Sequence, residues 1–236
     1  KTGEPGIFFI DRANHFNPVP HLGSYEATNP CGEQPLLAYD VCNLGSINVG
    51  YYVENGKMDW KSFAKDIHLS TRFLDNVIEI NKYPIPQIAE MTRANRKIGL
   101  GVMGFTDIVE KLGYSYDSEE AFDLIDEIME HVSYAAIDES ADLAQERGSY
   151  ANFAGSRWSQ GLVPLDTIDL TEADRGIEVQ VNRTTRLDWD ALRVKVKGGM
   201  RNATLMAIAP TASIGLVAGT TPGLDPQFSQ IFSRST

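Results

Sequence analysis

The chain has 236 residues, 42% of them apolar and 22% charged, enough for one large domain or two small ones with a proper core. Its formal net charge of −11 argues against a broad electrostatic surface for DNA or RNA, so no nucleic-acid partner is expected; a single nucleotide needs only a few donors. No apolar run approaches a membrane span, no signal peptide opens the chain, and two cysteines in this length are not a disulfide scaffold; a soluble protein of a reducing cytoplasm is expected, without a membrane partner.

In chain order, Ile7-Phe8-Phe9-Ile10 follows a Pro-Gly turn and is predicted as a short buried strand. Residues 11–24, rich in Asn, Pro and His, are predicted as a loop; His15 and His21 lack acidic or cysteine partners at metal spacing, so no metal site is expected. Next comes Asn29-Pro30-Cys31-Gly32-Glu33-Gln34-Pro35, with the second cysteine at Cys42. If extended, alternation puts the side chains of Asn29, Cys31 and Glu33 on one face. Pro30, Gly32 and Pro35 exclude a helix, and the stretch reads as a rigid loop carrying an amide, a thiol and a carboxylate. Residue types alone favour a small buried Cys31 and a solvated Glu33.

Residues 46–53 alternate weakly and end at the turn Glu54-Asn55-Gly56-Lys57. Asp59 is the expected N-cap of a helix over 60–81, with Phe63, Ile67, Phe73, Leu74, Val77 and Ile78 on its apolar face and His68 in a surface or packing role. Tyr83-Pro84-Ile85-Pro86 breaks the chain before a short helix to about 95. Gly99, Gly101 and Gly104 match G-x-G-x-x-G, but the polar, basic stretch before them is not the buried strand of a dinucleotide fingerprint. They read as sites of close backbone packing where a short strand feeds a helix over 104–112. Asp117-Ser118 caps a helix over 118–147, with Phe122, Ile125, Ile128, Met129, Val132, Ala136 and Leu143 inward and Gly148 at its end.

Residues 149–187 lack clear periodicity and suggest a variable insertion or surface excursion. Asp188-Trp189-Asp190 opens a helix that stops at Gly198-Gly199. Residues 204–209 read as a buried strand running into Pro210-Thr211-Ala212-Ser213-Ile214. A strand, a small-residue turn and a helix N-terminus can cradle a phosphate, with Thr211 and Ser213 adding donors; an ordinary N-capped turn has the same pattern. Gly219-Thr220-Thr221-Pro222-Gly223 is a second flexible loop. Short strands alternating with helices give an α/β class.

The stretch Asn29-Pro30-Cys31-Gly32-Glu33 resembles the Asn-x-Cys-x-Glu catalytic loop of ribonucleotide reductase large chains. Cys42 follows at the spacing of the adenosylcobalamin-dependent (class II) enzymes and their near relatives. The resemblance continues through Gly99-Leu100-Gly101-Val102-Met103-Gly104-Phe105 and Met200-Arg201-Asn202-Ala203-Thr204 to Pro226, and is weakest over about 151–198. Asp225 stands where the family usually has Glu.

The resemblance implies that residues 1–236 are a single piece of a ten-stranded α/β barrel. Its parts would be a central finger loop at about 25–46, helical segments at about 60–147, a variable excursion at about 149–187 and a phosphate-loop region at about 200–226. Both ends look cut, so N- and C-terminal parts of the same enzyme are expected elsewhere, with a homodimer as the full assembly.

The implied reaction replaces the ribose 2′-hydroxyl of a ribonucleotide with hydrogen. Cys31 would become a thiyl radical and remove the 3′ hydrogen, Glu33 would take the 3′-hydroxyl proton, and Asn29 would orient the sugar. Pro210, Thr211, Ala212, Ser213 and Ile214 would hold the phosphates. Cys42 would be one of two reducing thiols, its partner outside this chain, reset by an external dithiol from a thioredoxin-like or glutaredoxin-like protein. Adenosylcobalamin is the implied cofactor. The alternatives are a class I large chain served by a metal-radical subunit, a thiol redox module pairing Cys31 with Cys42, and a nucleotide-binding fragment without catalysis.

Overall fold

The computed structural model describes residues 6–229 together with Gly3 and Ile231. The expectations for the opening residues 1–5 and closing residues 232–236 otherwise fall outside the described residues.

Three extended segments run parallel at the centre. β3 (Asn43–Asn48) pairs with β6 (Ile98–Met103) in register from Asn43 opposite Ile98 to Asn48 opposite Met103. On the other side of β6 lies the segment 204–207. Ile98 N–H donates to Thr204 O (3.1 Å), Leu100 N–H to Leu205 O (2.7 Å) and Ala207 N–H to Leu100 O (3.2 Å), with a bridge between Leu100 and Met206. β6 is therefore flanked on both edges, and all six of its residues are buried. That explains two of its glycines. A Cβ on Gly101 would run into the Ala207 carbonyl oxygen, and one on Gly99 would lie 2.8 Å from Ala207 Cβ.

Parallel strands need long crossovers. The first is α2 (Trp60–Ile80) with α3 (Pro86–Asn95). After β6 come α4 (Phe105–Leu112), α5 (Glu119–Arg147), α6 (Asp166–Arg175) and α7 (Trp189–Lys197), and after the third extended segment comes α8 (Ala212–Ala218). Side chains cap three of them: Asp59 Oδ1 accepts from Ser62 N–H, Ser118 Oγ from Ala121 N–H and Asp188 Oδ1 from Ala191 N–H. α2 packs on α5, and Phe63, Ile67 and Ile78 of α2 join Ile128, Val132 and Ala136 of α5 in one core.

A buried polar hub ties these elements. Asp75 on α2 is fully buried; it accepts from Arg96 Nε (2.9 Å) and Asn202 Nδ2 (2.9 Å), and Arg201 Nε lies 3.4 Å away. Asn202 also donates to Arg96 O and exchanges hydrogen bonds with Ser140 of α5.

The structure corrects several expectations. Residues 7–9 are exposed, Ile7 at 84% and Phe9 at 63%, and Ile10 opens a helix, α1 (Ile10–His15). No strand among the described residues pairs with this run, and an unpaired strand leaves its backbone groups unsatisfied. The loop at 11–24 thus holds α1 and a 3₁₀ turn, Pro20–Leu22, organised by Asn14 and Asn17 side chains. The strand expected at 46–53 begins earlier, at Asn43, and gives way to a 3₁₀ turn, Val49–Tyr52, before the hairpin of β4 (Val53–Glu54) and β5 (Lys57–Met58).

Phe73 and Phe122 are exposed, lying outside the buried stripes of α2 and α5. In the stretch 149–187, Tyr150, Ser156, Trp158 and Val163 are buried, and Trp158 Nε1 donates to Ala203 O (2.9 Å), so its first half belongs to the core. The segment 204–209 alternates instead of being buried throughout: Leu205 and Ala207 point in, Ile208 is exposed.

Candidate active site

β1 (Ala27–Thr28) and β2 (Pro35–Leu36) form a short antiparallel hairpin whose tip is residues 29–34. Asn29 N–H donates to Gln34 O (3.3 Å), Gln34 N–H to the Asn29 side-chain Oδ1 (3.0 Å) and Gly32 N–H to Asn29 O (3.0 Å). Gly32 sits at φ 87°, where a side chain would be strained. The tip is therefore a turn, and the alternation of an extended segment is not what gathers Asn29, Cys31 and Glu33. Pro30 cannot donate and Gly32 reverses the chain, which breaks the extended pattern.

Within that turn the three groups have different settings. Cys31 is exposed and free. Asn29 is half-buried; its Oδ1 holds the turn, which leaves its amide hydrogens for a ligand. Glu33 is half-buried, and its Oε2 is shielded from solvent without a hydrogen-bond partner. Glu33 lines a cavity of about 440 Å³, shared with Gln34, Tyr25, Arg157, Thr204 and Met206. Gln34 Oε1 and Arg157 Nη1 are likewise buried and unpartnered. All three residues line that cavity, and each such unmet group costs about 1–3 kcal/mol.

Cys42 lies one residue before β3. It is free and half-buried, and its thiol donates to Asn43 O (3.4 Å). Burial pushes this thiol up to about 12; Lys97 pulls it down, and Asp40 and Glu33 push it further up. Lys97 and Asp40 form a fully buried ion pair. Asn95 Nδ2 lies 3.3 Å from Asp40 Oδ1, and the Lys97 ammonium sits over the Tyr25 ring, 5.1 Å from its centroid. The sequence reading missed Lys97 and Asp40. The available signal was a basic residue abutting a strand apolar throughout, which marks a charge at the mouth of a core.

The segment 210–214 lies elsewhere. Thr211 precedes α8 with φ 56°, and its Oγ1 accepts from Gly223 N–H (2.7 Å), which fastens it to the 219–223 loop. Gly215 N–H makes the first intrahelical bond, to Thr211 O (2.7 Å), and Ala212, Ser213 and Ile214 ahead of it are exposed. The 219–223 loop is pinned where β3 and β6 end: Gly104 N–H donates to Thr221 O (2.8 Å), and Thr220 Oγ1 bonds Asp107 and Asn48. A second cavity, about 630 Å³, is lined here by Ala212, Gly215, Thr220, Thr221 and Phe228. The structure thus groups Asn29, Cys31 and Glu33 on the hairpin. Cys42 stands where the parallel strands begin, and 210–214 stands where they end.

The chain is thus an α/β protein with an exposed thiol and a half-buried carboxylate on one self-braced hairpin turn and a second, half-buried thiol one residue before its parallel strands. The chain is a member of the ribonucleotide reductase barrel-domain family, whose sequence model matches residues 1–236.

It is similar to a "Vitamin B12-dependent ribonucleoside-diphosphate reductase" of Mycobacterium tuberculosis, 40% identical over 233 residues, covering 99% of this chain and 28% of that protein. A protein of the same name from Thermoplasma acidophilum is 40% identical over 235 residues, covering 99% of this chain and 26% of that one. A "Ribonucleoside-diphosphate reductase subunit alpha" of Chlamydia pneumoniae is 41% identical over 241 residues, covering all of this chain and 23% of that protein. The chain therefore spans about a quarter of the length of these relatives. No helix among the described residues is long and apolar enough to cross a membrane.

Proposed function

We propose that this chain carries the thiol site of an enzyme that reduces ribonucleotides to 2′-deoxyribonucleotides. The observation that carries the reading is Glu33, a cavity-lining residue with one carboxylate oxygen buried and unpartnered, on the same turn as the exposed Cys31 thiol. Cys31 as a thiyl radical takes the hydrogen atom from C3′ of the ribose. Glu33 accepts the 3′-hydroxyl proton, a role worth about 10²–10⁴-fold in rate. The free amide hydrogens of Asn29 bind a sugar hydroxyl and fix the ribose against the sulfur; positioning at about 3–3.5 Å is itself a large part of such catalysis. The N–H groups of the first turn of α8, at Ala212, Ser213 and Ile214, with Pro210 and Thr211 shaping their entry, receive the phosphates. The names of the relatives favour a ribonucleoside diphosphate as substrate.

Cys31 is suited to a radical delivered from outside the hairpin, because the sulfur is exposed and the turn is held by its own backbone bonds, without help from Cys31. The exposed tip, Pro30 to Gly32, would face adenosylcobalamin, which when bound supplies an organic radical able to take a hydrogen atom from a thiol. The Mycobacterium and Thermoplasma relatives support this source. The Chlamydia relative, named as an alpha subunit, supports the alternative of a separate radical-bearing subunit. Cys42 is one of the two thiols oxidised in turnover, its partner on another part of the enzyme. A thioredoxin-like or glutaredoxin-like dithiol in a reducing cytoplasm resets it, and the working enzyme is a homodimer.

The test is anaerobic turnover of a ribonucleoside diphosphate by the full-length protein with adenosylcobalamin and dithiothreitol. Deoxyribonucleotide is expected from the wild type, none from Cys31→Ser, and about 10²–10⁴-fold less from Glu33→Gln with substrate binding retained. Product only on addition of a metal-radical subunit moves the radical source; product that survives Cys31→Ser overturns the site.

A further inference from the structure

The register of β3 on β6, continued one residue back from Asn43 and Ile98, sets Cys42 against Lys97. Gly99 leaves room for the sulfur: a Cβ there would lie 3.3 Å from Cys42 Sγ. Lys97 is fully buried, and its only carboxylate within ion-pair distance among the described residues is Asp40, two residues before Cys42. The Tyr25 ring carries the ammonium from another side. The proposed role of Glu33, Cys31 and Asn29 makes no use of this cation. A buried lysine held beside a half-buried thiol is costly to build and can do one thing there that packing cannot: it can stabilise negative charge on sulfur.

We propose that Lys97 is a positioning residue for re-reduction, the cation that receives the negative charge of Cys42 when an external dithiol opens a disulfide at Cys42; this rests on the reductase reading above. In that step a dithiol sulfur, as thiolate, bonds to the partner cysteine's sulfur. The Cys42–partner S–S bond breaks, and its electron pair leaves on Cys42 Sγ beside the Lys97 ammonium. Cys42 then takes up the proton that the dithiol has released. The second dithiol sulfur closes on the first, freeing the partner cysteine. Two electrons and two protons have passed from the dithiol to the protein. A better-stabilised leaving sulfur leaves faster, so Lys97 selects Cys42 to leave and its partner to be attacked.

The charged groups acting on Cys42 among the described residues are Lys97, Asp40 and Glu33. Burial outweighs the lysine and keeps Cys42 a thiol between turnovers, which protects it from adventitious oxidation. The lysine matters when the sulfur is forced to carry charge.

The experiment measures labelling of Cys42 by iodoacetamide in the full-length protein, followed by peptide mass spectrometry across pH, with the fold checked by circular dichroism. Lys97→Met slows labelling on the order of tenfold at each pH, as expected for a thiolate fraction lowered by about one pKa unit. Lys97→Arg keeps the wild-type rate, and Asp40→Asn raises it. The rate at which dithiothreitol regenerates free Cys42 in the oxidised enzyme follows the same order.

A Lys97→Met protein that fails to fold labels faster and loses its circular dichroism. The comparison of Asp40→Asn with Asp40→Asn/Lys97→Met, which leaves no buried carboxylate unpaired, then reads the lysine instead. Unchanged labelling between either folded pair overturns the proposal. Labelling that follows Lys97 in a protein that makes no deoxyribonucleotide supports the coupling of Lys97 to Cys42 and sinks the reductase reading alone.

Discussion

Asn29 carries two duties that a substitution can separate. Its Oδ1 accepts from Gln34 N–H at 3.0 Å and closes the hairpin tip; its amide hydrogens are the donors proposed above for a sugar hydroxyl. Asn29→Ala removes both and is expected to cost about 0.5–1.5 kcal/mol of stability along with most turnover. Asn29→Asp keeps the acceptor and the turn but loses the donors and sets a second carboxylate near Glu33. It is expected to hold wild-type stability in denaturant titrations while turnover still collapses. Equal stability loss in both variants would mean the amide hydrogens, and not Oδ1, hold the loop.

The identity of these residues was legible through the resemblance of Asn29-Pro30-Cys31-Gly32-Glu33 to a reductase loop, since residue types alone did not single them out. Their settings were not. Nothing local says that Glu33 would line a cavity together with Thr204 and Met206, because that depends on a segment some 170 residues away in the chain. Lys97 hid for the same reason: its partner Asp40 is brought to it by strand pairing and not by sequence spacing.

Among elements, what stands on local rules was readable and what stands on neighbours was not. The helices capped by Asp59, Ser118 and Asp188 begin where their caps place them. The apolar run at 7–9 has strand composition but no strand beside it among the described residues, so it stays in the open. α6 escaped notice because only Thr171 along it is buried, which leaves no apolar stripe to detect. The glycines of β6 were correctly read as close packing; what they pack against, the extended segment at 204–207, is a hundred residues further on.

The strongest element-scale tie is polar. Asp75 of α2 holds Arg96 after α3 and Asn202 beside α5, and Arg96 is itself buried. Asp75→Ala leaves that buried guanidinium with only the exposed Glu79 and is expected to cost about 3–5 kcal/mol. Replacing the exposed Glu79, the second carboxylate on Arg96, should cost about 1 kcal/mol or less. Denaturant unfolding of the two variants side by side checks this; comparable losses would remove Asp75 from the centre of the hub.

At the scale of the whole molecule, the buried ionisable groups set an alkaline limit. Burial pushes the thiol of Cys42 up from 9.0 to about 12 and the hydroxyl of Tyr150 up from 10.0 to about 12, and it raises Tyr25 as well. These groups are protonated in both folded and unfolded chains at neutral pH. As pH rises past the unfolded value, the unfolded chain loses protons first, so the folded state loses ground until pH reaches the folded value. Stability should therefore be level near neutrality and decline between about pH 9 and pH 12, with Cys42 opening the decline because its unfolded value is the lower.

A second effect points the same way: with a formal charge of −11 at pH 7, every proton lost from lysine in this range adds self-repulsion. The two separate experimentally. Added salt screens the repulsion and leaves the buried thiol untouched. Cys42→Ala removes the thiol and leaves the repulsion. Unfolding free energies measured up to about pH 11 should thus show an early decline that survives salt and vanishes in Cys42→Ala, followed by a later one that salt relieves in part, the buried tyrosines keeping the rest. A decline abolished by salt alone would mean that Cys42 is hydrated in solution, and that the enclosed setting which gives Lys97 its purpose does not persist there.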